Sequence, residues 1–457
     1  MGGCCSRANA YHAGLHAMNT DEVKPASYKH PILWVPTSYF AMGTVYTMVT
    51  TAANIMFANL GFSNEQSALY SSLTGFAFTF KPLWAPLLEL GKTKKFFVVL
   101  MQLILAGVFM ALAAALKLPA FVAPAVGLLM IAALAGATQD LVTDGVYVTT
   151  LSNKHQAAFS GVQSMSWSIG PIVAGSALVL LVGKLAGEGG GLKPSVGAYS
   201  SAWMITFILL GALMLGMALW HTAFLPQGSK AADAPKSLSE GFVMFGRVFV
   251  TFFQKKDVWK LIGFAFFYRF GLGLLDKVST LFLLDSRAHG GLGLDNSKLG
   301  LLNGIATAAF IIGSLVGGWF VAKRGLKRSL LILCLFLNVP NVTFLYLGWV
   351  RPESLWIIGA IFCIEKLGWG IGAVGHMVYM MQQIAPGPYR MAHYAFATGF
   401  GLSMCMTVTG AASGYIQQAV GYQTYFIIVL LAAAPSLLFT AIAPFHHGDG
   451  SAEAATQ

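Results

Sequence analysis

The chain has 457 residues, 56% of them hydrophobic and only 10% charged, with a formal net charge of +11. A soluble domain carries about 25% charged residues, so a chain of this length in water would lack the charge to cover its two or three domain surfaces. A soluble globular protein is excluded. The positive balance does not call for a nucleic-acid partner either. Lys and Arg cluster in alternate short loops, "GKTKKF" (91–96), "FQKKDVWK" (253–260) and "AKRGLKRS" (322–329), which is the pattern that orients a membrane protein.

The first segment, 1–30, has no apolar core of the kind a cleavable signal needs. Its opening "MGGCCS" matches a myristoylation pattern at Gly2 and Ser6, but a chain with many spans needs no acyl anchor. Five cysteines, Cys4, Cys5, Cys334, Cys363 and Cys405, make no disulfide framework, and the last three read as small packing residues.

Apolar runs of about 20 residues then read as membrane spans. Six are expected near 31–57, 66–90, 96–116, 120–150, 158–183 and 199–224. A polar linker follows at 225–256. Six more are expected near 257–284, 297–322, 329–350, 354–384, 392–418 and 421–444, and a tail at 446–457. The even count puts both termini on one side. The loops on that side hold the three basic clusters with Lys154 and Arg390. The other loops hold only Lys117, Lys184, Lys193, Arg287, Lys298 and Arg351. The termini and the linker are therefore expected in the cytoplasm.

The two sets of spans echo one another at an offset of about 230 residues. "WVPTSYF" (34–40) matches "IGFAFFYRF" (262–270), the basic turn at 91–95 matches that at 323–328, and Val146-Tyr147 matches Val378-Tyr379. Repetition of this kind marks a transporter built from two equivalent lobes, with solute held between them near the midplane. The expected fold is an all-α membrane protein, with twelve transmembrane helices in two pseudo-symmetric six-helix bundles, 31–224 and 257–445.

Ionisable residues inside spans are expensive and mark solute or proton routes. Here they are Lys81 in the second span, Asp140 and Asp144 in the fourth, Arg269, Asp276 and Lys277 in the seventh, and Glu365, Lys366 and His376 in the tenth. The first span offers Ser38, Tyr39, Thr44, Tyr46 and Asn54 instead. Gly136, Asp140, Asp144 and Tyr147 recur at i, i+4, i+8 and i+11 and share a helix face. Arg269 and Asp276 are seven apart and share another. Glu365, Trp369, Gly372 and His376 share a third.

Arg269 can clamp a carboxylate or phosphate bidentately. Lys277 and Lys366 add point charges, though both lie off their neighbours' faces and could pair locally. Tyr39, Tyr147 and Trp369 offer flat faces to a solute. Asp140, Asp144 and Glu365 are the carboxylates able to carry a proton. Lys81, Asp276 and His376 are the candidates for gating or ion pairing, with Lys81 expected opposite Asp144. The bland alternative is that these charges only pin helices together. No HExxH, GxSxG, Walker A or paired-cysteine metal motif occurs, so neither a metal, a cofactor nor ATP-driven transport is expected. A membrane enzyme would have to rest on His376 and Glu365, which lie three turns apart.

Twelve spans in two halves, with basic turns after spans 2 and 8, resemble the major facilitator superfamily. Its loop motif runs G-x-x-x-D-R/K-x-G-R/K-R/K. "GWFVAKRGLKR" (318–328) keeps Gly318, Lys323, Gly325 and Lys327 but has Ala322 where the acid belongs. "APLLELGKTKK" (85–95) offers Glu89 in a shifted register. "GATQDLVTDGVYVTTLS" (136–152) resembles the A-T-Q-D-I-x-x-D signature of the peptide/acetyl-coenzyme A transporter family. "FAFTFKPLWAPLLELGKTKK" (76–95) resembles that family's second span. The resemblance singles out Gln139, Asp140, Asp144 and Lys81. It implies a proton-driven, monomeric importer in the bacterial inner membrane, with muropeptides (GlcNAc-anhydro-muramyl peptides) as the leading cargo. Coenzyme A thioesters or other sugars and organic anions are the alternative, and a transporter-shaped scaffold without transport is the alternative of another class. The partners expected are a small solute, protons and the bilayer.

Overall fold

The computed structural model describes residues 30–85, 88, 93–151, 153–189, 194–228, 237–387 and 389–447. The "MGGCCS" start, Glu89 and nearly all of the terminal segments lie outside the described residues, as does 229–236 of the linker. Every regular element among the described residues is helical. Ten stretches are long and apolar enough to cross a bilayer, from Pro31–Asn59 to Ala392–Ala441.

Two regions depart from the expected spans. The runs at 392–418 and 421–444 lie in one stretch, Ala392–Ala441, whose backbone turns at Gly421 with φ 73° and ψ 168°. Only a residue without Cβ enters that region readily. The run at 66–90 is assembled from shorter pieces, Asn64–Leu73, Gly75–Phe80 and Lys81–Leu83. The break falls at Thr74, whose hydroxyl donates to the carbonyls of Val49 at 2.9 Å and Ser71 at 2.7 Å.

Local chemistry sets the helix ends. Ser63 and Gln66 form a reciprocal capping box. Ser195 and Asp295 accept from the amides of Ala198 and Lys298, opening Val196–Phe224 and Asn296–Arg324. Gly187, with φ 85°, closes Leu178–Ala186.

The halves meet along two seams. In one, Asn64–Leu73 packs on Met404–Leu431. In the other, Val173–Ala177 and Leu178–Ala186 pack on Asn296–Arg324. At the sequence offset, spans 2 and 5 correspond to 8 and 11, so each seam is the symmetry copy of the other. Each depends on a glycine set directly against backbone. A Cβ on Gly414 would lie 2.5 Å from the Asn64 carbonyl oxygen, and one on Gly300 would lie 2.7 Å from that of Ser176.

Outward faces carry exposed apolar side chains such as Leu315 and Leu219, as lipid contact requires. Trp259, Trp349 and Trp356 are 73, 61 and 88% exposed, in keeping with positions at a membrane interface. Trp34, also near the end of a span, is instead fully buried. It packs edge-on to Tyr147, which packs in turn on Tyr39. A stack of three aromatics buries more area inside the bundle than the rim would offer.

Candidate solute cavity

A cavity of about 760 Å³ lies between the halves, within the range of about 300–1,000 Å³ that small-molecule sites occupy. The first half contributes Lys81 and Asp140, and the second contributes Arg269, Asp276, Lys277, Lys366 and Trp369. Tyr46, Ser72, Thr280, Asn303 and Tyr394 add neutral polar groups to the wall.

Lys81 stands at a break in the second span, where Gly75–Phe80 gives way to the turn Lys81–Leu83. Its ammonium pairs with Asp140 across to Val122–Thr150. The expectation that Lys81 faces Asp144 is thereby corrected. The helix ends at Phe80 and tightens into a short 3-10 turn, which leaves Lys81 opposite the deeper carboxylate. Asp144, one turn along, is exposed and accepts a 2.7 Å hydrogen bond from the Tyr39 hydroxyl.

Arg269 does not sit on a continuous helix. It caps Phe270–Leu284 at a break after Val258–Phe267, with φ −107° and ψ 19°. The break turns its guanidinium toward the cavity and keeps Asp276 on the same wall. Among the described residues its hydrogen bond is a long one, 3.4 Å from Nη2 to the Ala373 carbonyl, and its buried Nε has no partner. Lys277, by contrast, is satisfied within the fold. Its ammonium donates at 2.8 Å to the Thr50 carbonyl in the other half. Lys366 lies 3.2 Å from Glu365 and 4.2 Å above the Trp369 ring, so it pairs locally and still faces the cavity.

The remaining expected residues lie off the cavity wall. Tyr147 donates to the Gln156 carbonyl at 2.6 Å and packs with Tyr39 in an apolar cluster. Gln139 is buried, with no hydrogen bond to its amide oxygen or nitrogen among the described residues. Glu365 is 1% exposed, and its charged contact among the described residues is Lys366 at 3.2 Å. His376 stacks on Tyr268 and donates from Nε2 to the Ala265 carbonyl at 3.0 Å. Neighbours one residue away on a helix turn through 100°, so Gln139 and Glu365 point elsewhere while Asp140 and Lys366 point in.

Sequence reasoning missed the irregular backbone that lines the cavity. Wide π-type turns occur at Met48–Ala52, Val173–Ala177 and Ala397–Ser403. They bring Thr50, Thr51, Gly175, Thr398 and Ser403 to the wall. Non-helical backbone at membrane depth is tolerated where it lines a polar cavity, and π turns favour functional sites. Runs of small and hydroxylated residues, "TMVTTA" and "ATGFGLS", were the available signal.

Also missed was a polar bridge at the end bearing the sparsely charged loops. The Glu188 carboxylate accepts from the amides of Asn296 (2.9 Å) and Ser297 (2.8 Å), from the Ser297 hydroxyl (3.1 Å) and from Tyr199 (2.8 Å). Asn59 pairs with Asn296, and Asn64 donates to Gln417 and Tyr422. These bonds tie the halves together on one side of the cavity.

Two helical lobes, seams related by a repeat and a charged cavity between them define a membrane transporter. The comparisons place it more closely. The model of the Major Facilitator Superfamily matches residues 37–414, and the chain belongs to that superfamily. The anhydromuropeptide permease of Escherichia coli (strain K12) is 25% identical over 401 residues, covering 85% of this chain and 73% of the relative. Among solved structures, the nucleoside transporter NupG superposes with a TM-score of 0.65 at 14% identity, covering 91% of this chain and 99% of that one. A D-xylose-proton symporter gives 0.63 at 12%, covering 90% and 96%. Both share the fold. The protein is a multi-pass membrane transporter and not an enzyme.

Proposed function

We propose that this protein imports an anionic or zwitterionic solute by proton-coupled alternating access, with muropeptides as the leading class. Arg269 carries the reading. It is a cavity-lining guanidinium without an acidic partner among the described residues, and buried charges are ordinarily paired. A solute carboxylate or phosphate would supply the missing partner through a bidentate contact. Lys366 over Trp369 would take a second anionic or sugar group, and Asp276 a peptide amine. The similarity to an anhydromuropeptide permease supports cargo with all three features.

Asp140 is the proton carrier in this reading. Its charge is balanced by Lys81, and exposed Asp144 beside it gives a route toward the basic-loop end. Protonating Asp140 frees Lys81, so the pair's charge changes with each cycle. In this reading the end with the basic loops, and both termini, face the cytoplasm from a bacterial inner membrane. The Glu188 bridge then closes the periplasmic side. A thermal-shift screen of the purified protein against muropeptides, coenzyme A esters and neutral sugars tests the assignment. Stabilisation by muropeptides that Arg269→Gln removes supports it. Stabilisation by neutral sugars alone overturns it.

A further inference from the structure

Between the halves, away from the cavity, a helix runs Leu238–Phe253. Gly241, Phe245, Val248 and Phe252 recur at i, i+4, i+7 and i+11 and form the face toward the protein. Val248 and Phe252 are buried. The Phe252 ring lies 4.9 Å from that of Phe396 and 5.6 Å from His393. Thr251 Oγ1 and His393 Nε2 share a 3.1 Å hydrogen bond. The helix is thus fixed to Arg390–Phe396, the start of the eleventh span.

The next arc round the helix is also apolar, yet it is open. Phe242, Val243 and Val250 are 62, 51 and 51% exposed. Leaving such side chains in water forgoes hydrophobic stabilisation that an apolar contact would supply. The arc beyond it is polar, with Gln254, Arg247, Glu240 and Thr251. The helix leads straight into Val258–Phe267, whose Trp259 is 73% exposed, as an interfacial tryptophan is. Over residues 237–260 the basic groups are Arg247, Lys255, Lys256 and Lys260, against Glu240 and Asp257. Lys255 is held to the Pro386 carbonyl and Lys260 to Asp257. Arg247 and Lys256 are exposed.

We infer that Leu238–Phe253 lies in the plane of the bilayer surface, with Phe242, Val243 and Val250 in the headgroup–acyl boundary and Arg247 and Lys256 against anionic lipid headgroups. Three observations choose lipid as the occupant. The open arc is apolar, the Phe253 ring at the end of the helix meets that of Trp259 at 6.0 Å, and the exposed Arg247 and Lys256 are positive. An amphipathic helix with a basic polar side and large apolar groups binds in this manner. Because its inner face grips the eleventh span, lipid attachment sets the height of that span.

The test uses the full chain in vesicles of phosphatidylcholine with or without phosphatidylglycerol, the native cysteines being replaced. A nitroxide is placed by Val243→Cys, Val250→Cys or Glu240→Cys, and its collisions with oxygen and a water-soluble nickel chelate are measured. With phosphatidylglycerol, oxygen collisions are expected to exceed nickel collisions several-fold at 243 and 250, and the reverse at 240. The ratio at 243 and 250 should fall several-fold in phosphatidylcholine alone, or when Arg247→Glu and Lys256→Glu are combined. Nickel access at 243 and 250 equal to that at 240 would overturn the inference. So would screening from both reagents, which means another protein surface covers the arc. A ratio indifferent to phosphatidylglycerol would overturn the anionic-lipid contact.

Discussion

Glu188 and Ser297 lie in different halves, yet the carboxylate of one accepts from both the amide (2.8 Å) and the hydroxyl (3.1 Å) of the other. With the Asn296 amide, this occupies two of the donors that a helix leaves open at its N-terminus. A carboxylate there is also favoured by the helix dipole. The contact holds the halves together only while that end of the cavity is shut.

Glu188→Gln is therefore expected to shift the protein toward states open at that end. Hydrogen bonds to a charged group are worth about 1.5–3 kcal/mol, so the open population should rise roughly ten-fold. Spin labels at exposed Lys184 and Lys298 should report a longer distance component. An unchanged distance distribution would remove the latch role.

Gly300 and Gly414 should behave alike, because each lies on a seam directly against backbone of the other half. Gly300→Ala or Gly414→Ala puts a methyl group against backbone that has no room to move. We expect a loss of about 1–3 kcal/mol, as for other overpacking changes, read as a lower melting temperature in detergent. A variant as stable as the parent would mean that the seams are looser than described.

Asp140→Asn leaves Lys81 without its partner, and Lys81→Met leaves Asp140. Each single change is expected to cost about 1–3 kcal/mol, less than for a sealed pair because both side chains reach cavity water. Combined, the two changes should recover most of that stability but not coupled uptake. Recovery of uptake by the double variant would reduce the pair to a structural pin.

Arg269→Lys keeps the charge and loses the planar fork. Solute affinity should fall about ten- to hundred-fold, in line with a lost charge-assisted contact. Equal affinity in titration calorimetry would show that Arg269 does not touch the solute.

Asp257, outside the spans, links Lys260 at 2.9 Å and His446 at 3.1 Å. The hydrogen bond from Lys260 holds its carboxyl below the usual carboxylate range. A group lowered in the folded state adds stability above its unfolded pKa and loses it as pH falls through the folded value. The melting temperature of Asp257→Asn should thus lie below that of the parent at neutral pH and converge with it in acid. A constant gap across that range would rule out the link.

The spans and the charged wall were legible because both follow from periodicity and cost. Apolar runs reveal helices, and a charge in hydrocarbon needs a reason. Lys81, Asp140, Arg269, Asp276, Lys277, Lys366 and Trp369 all reach the cavity. Helix-face arithmetic was less reliable where the helix is not regular. The break at Arg269 and the 3-10 turn at Lys81 re-aim both side chains, and the second of these switched the partner from Asp144 to Asp140. Tyr147 shares the face of Asp140 and Asp144, but aromatic packing with Trp34 and with Tyr39 of the first span draws it off the wall. Glu188 was invisible in sequence because its partners are backbone amides more than a hundred residues away.

Uptake by proteoliposomes tests the central claim most directly. Labelled GlcNAc-anhydro-muramyl peptide is offered with an imposed inward proton gradient, to the parent protein and to Asp140→Asn. The expected result is accumulation by the parent alone, abolished by an uncoupler, with both proteins inserted equally. Equal accumulation by the two proteins, or none by the parent above protein-free vesicles, would contradict it.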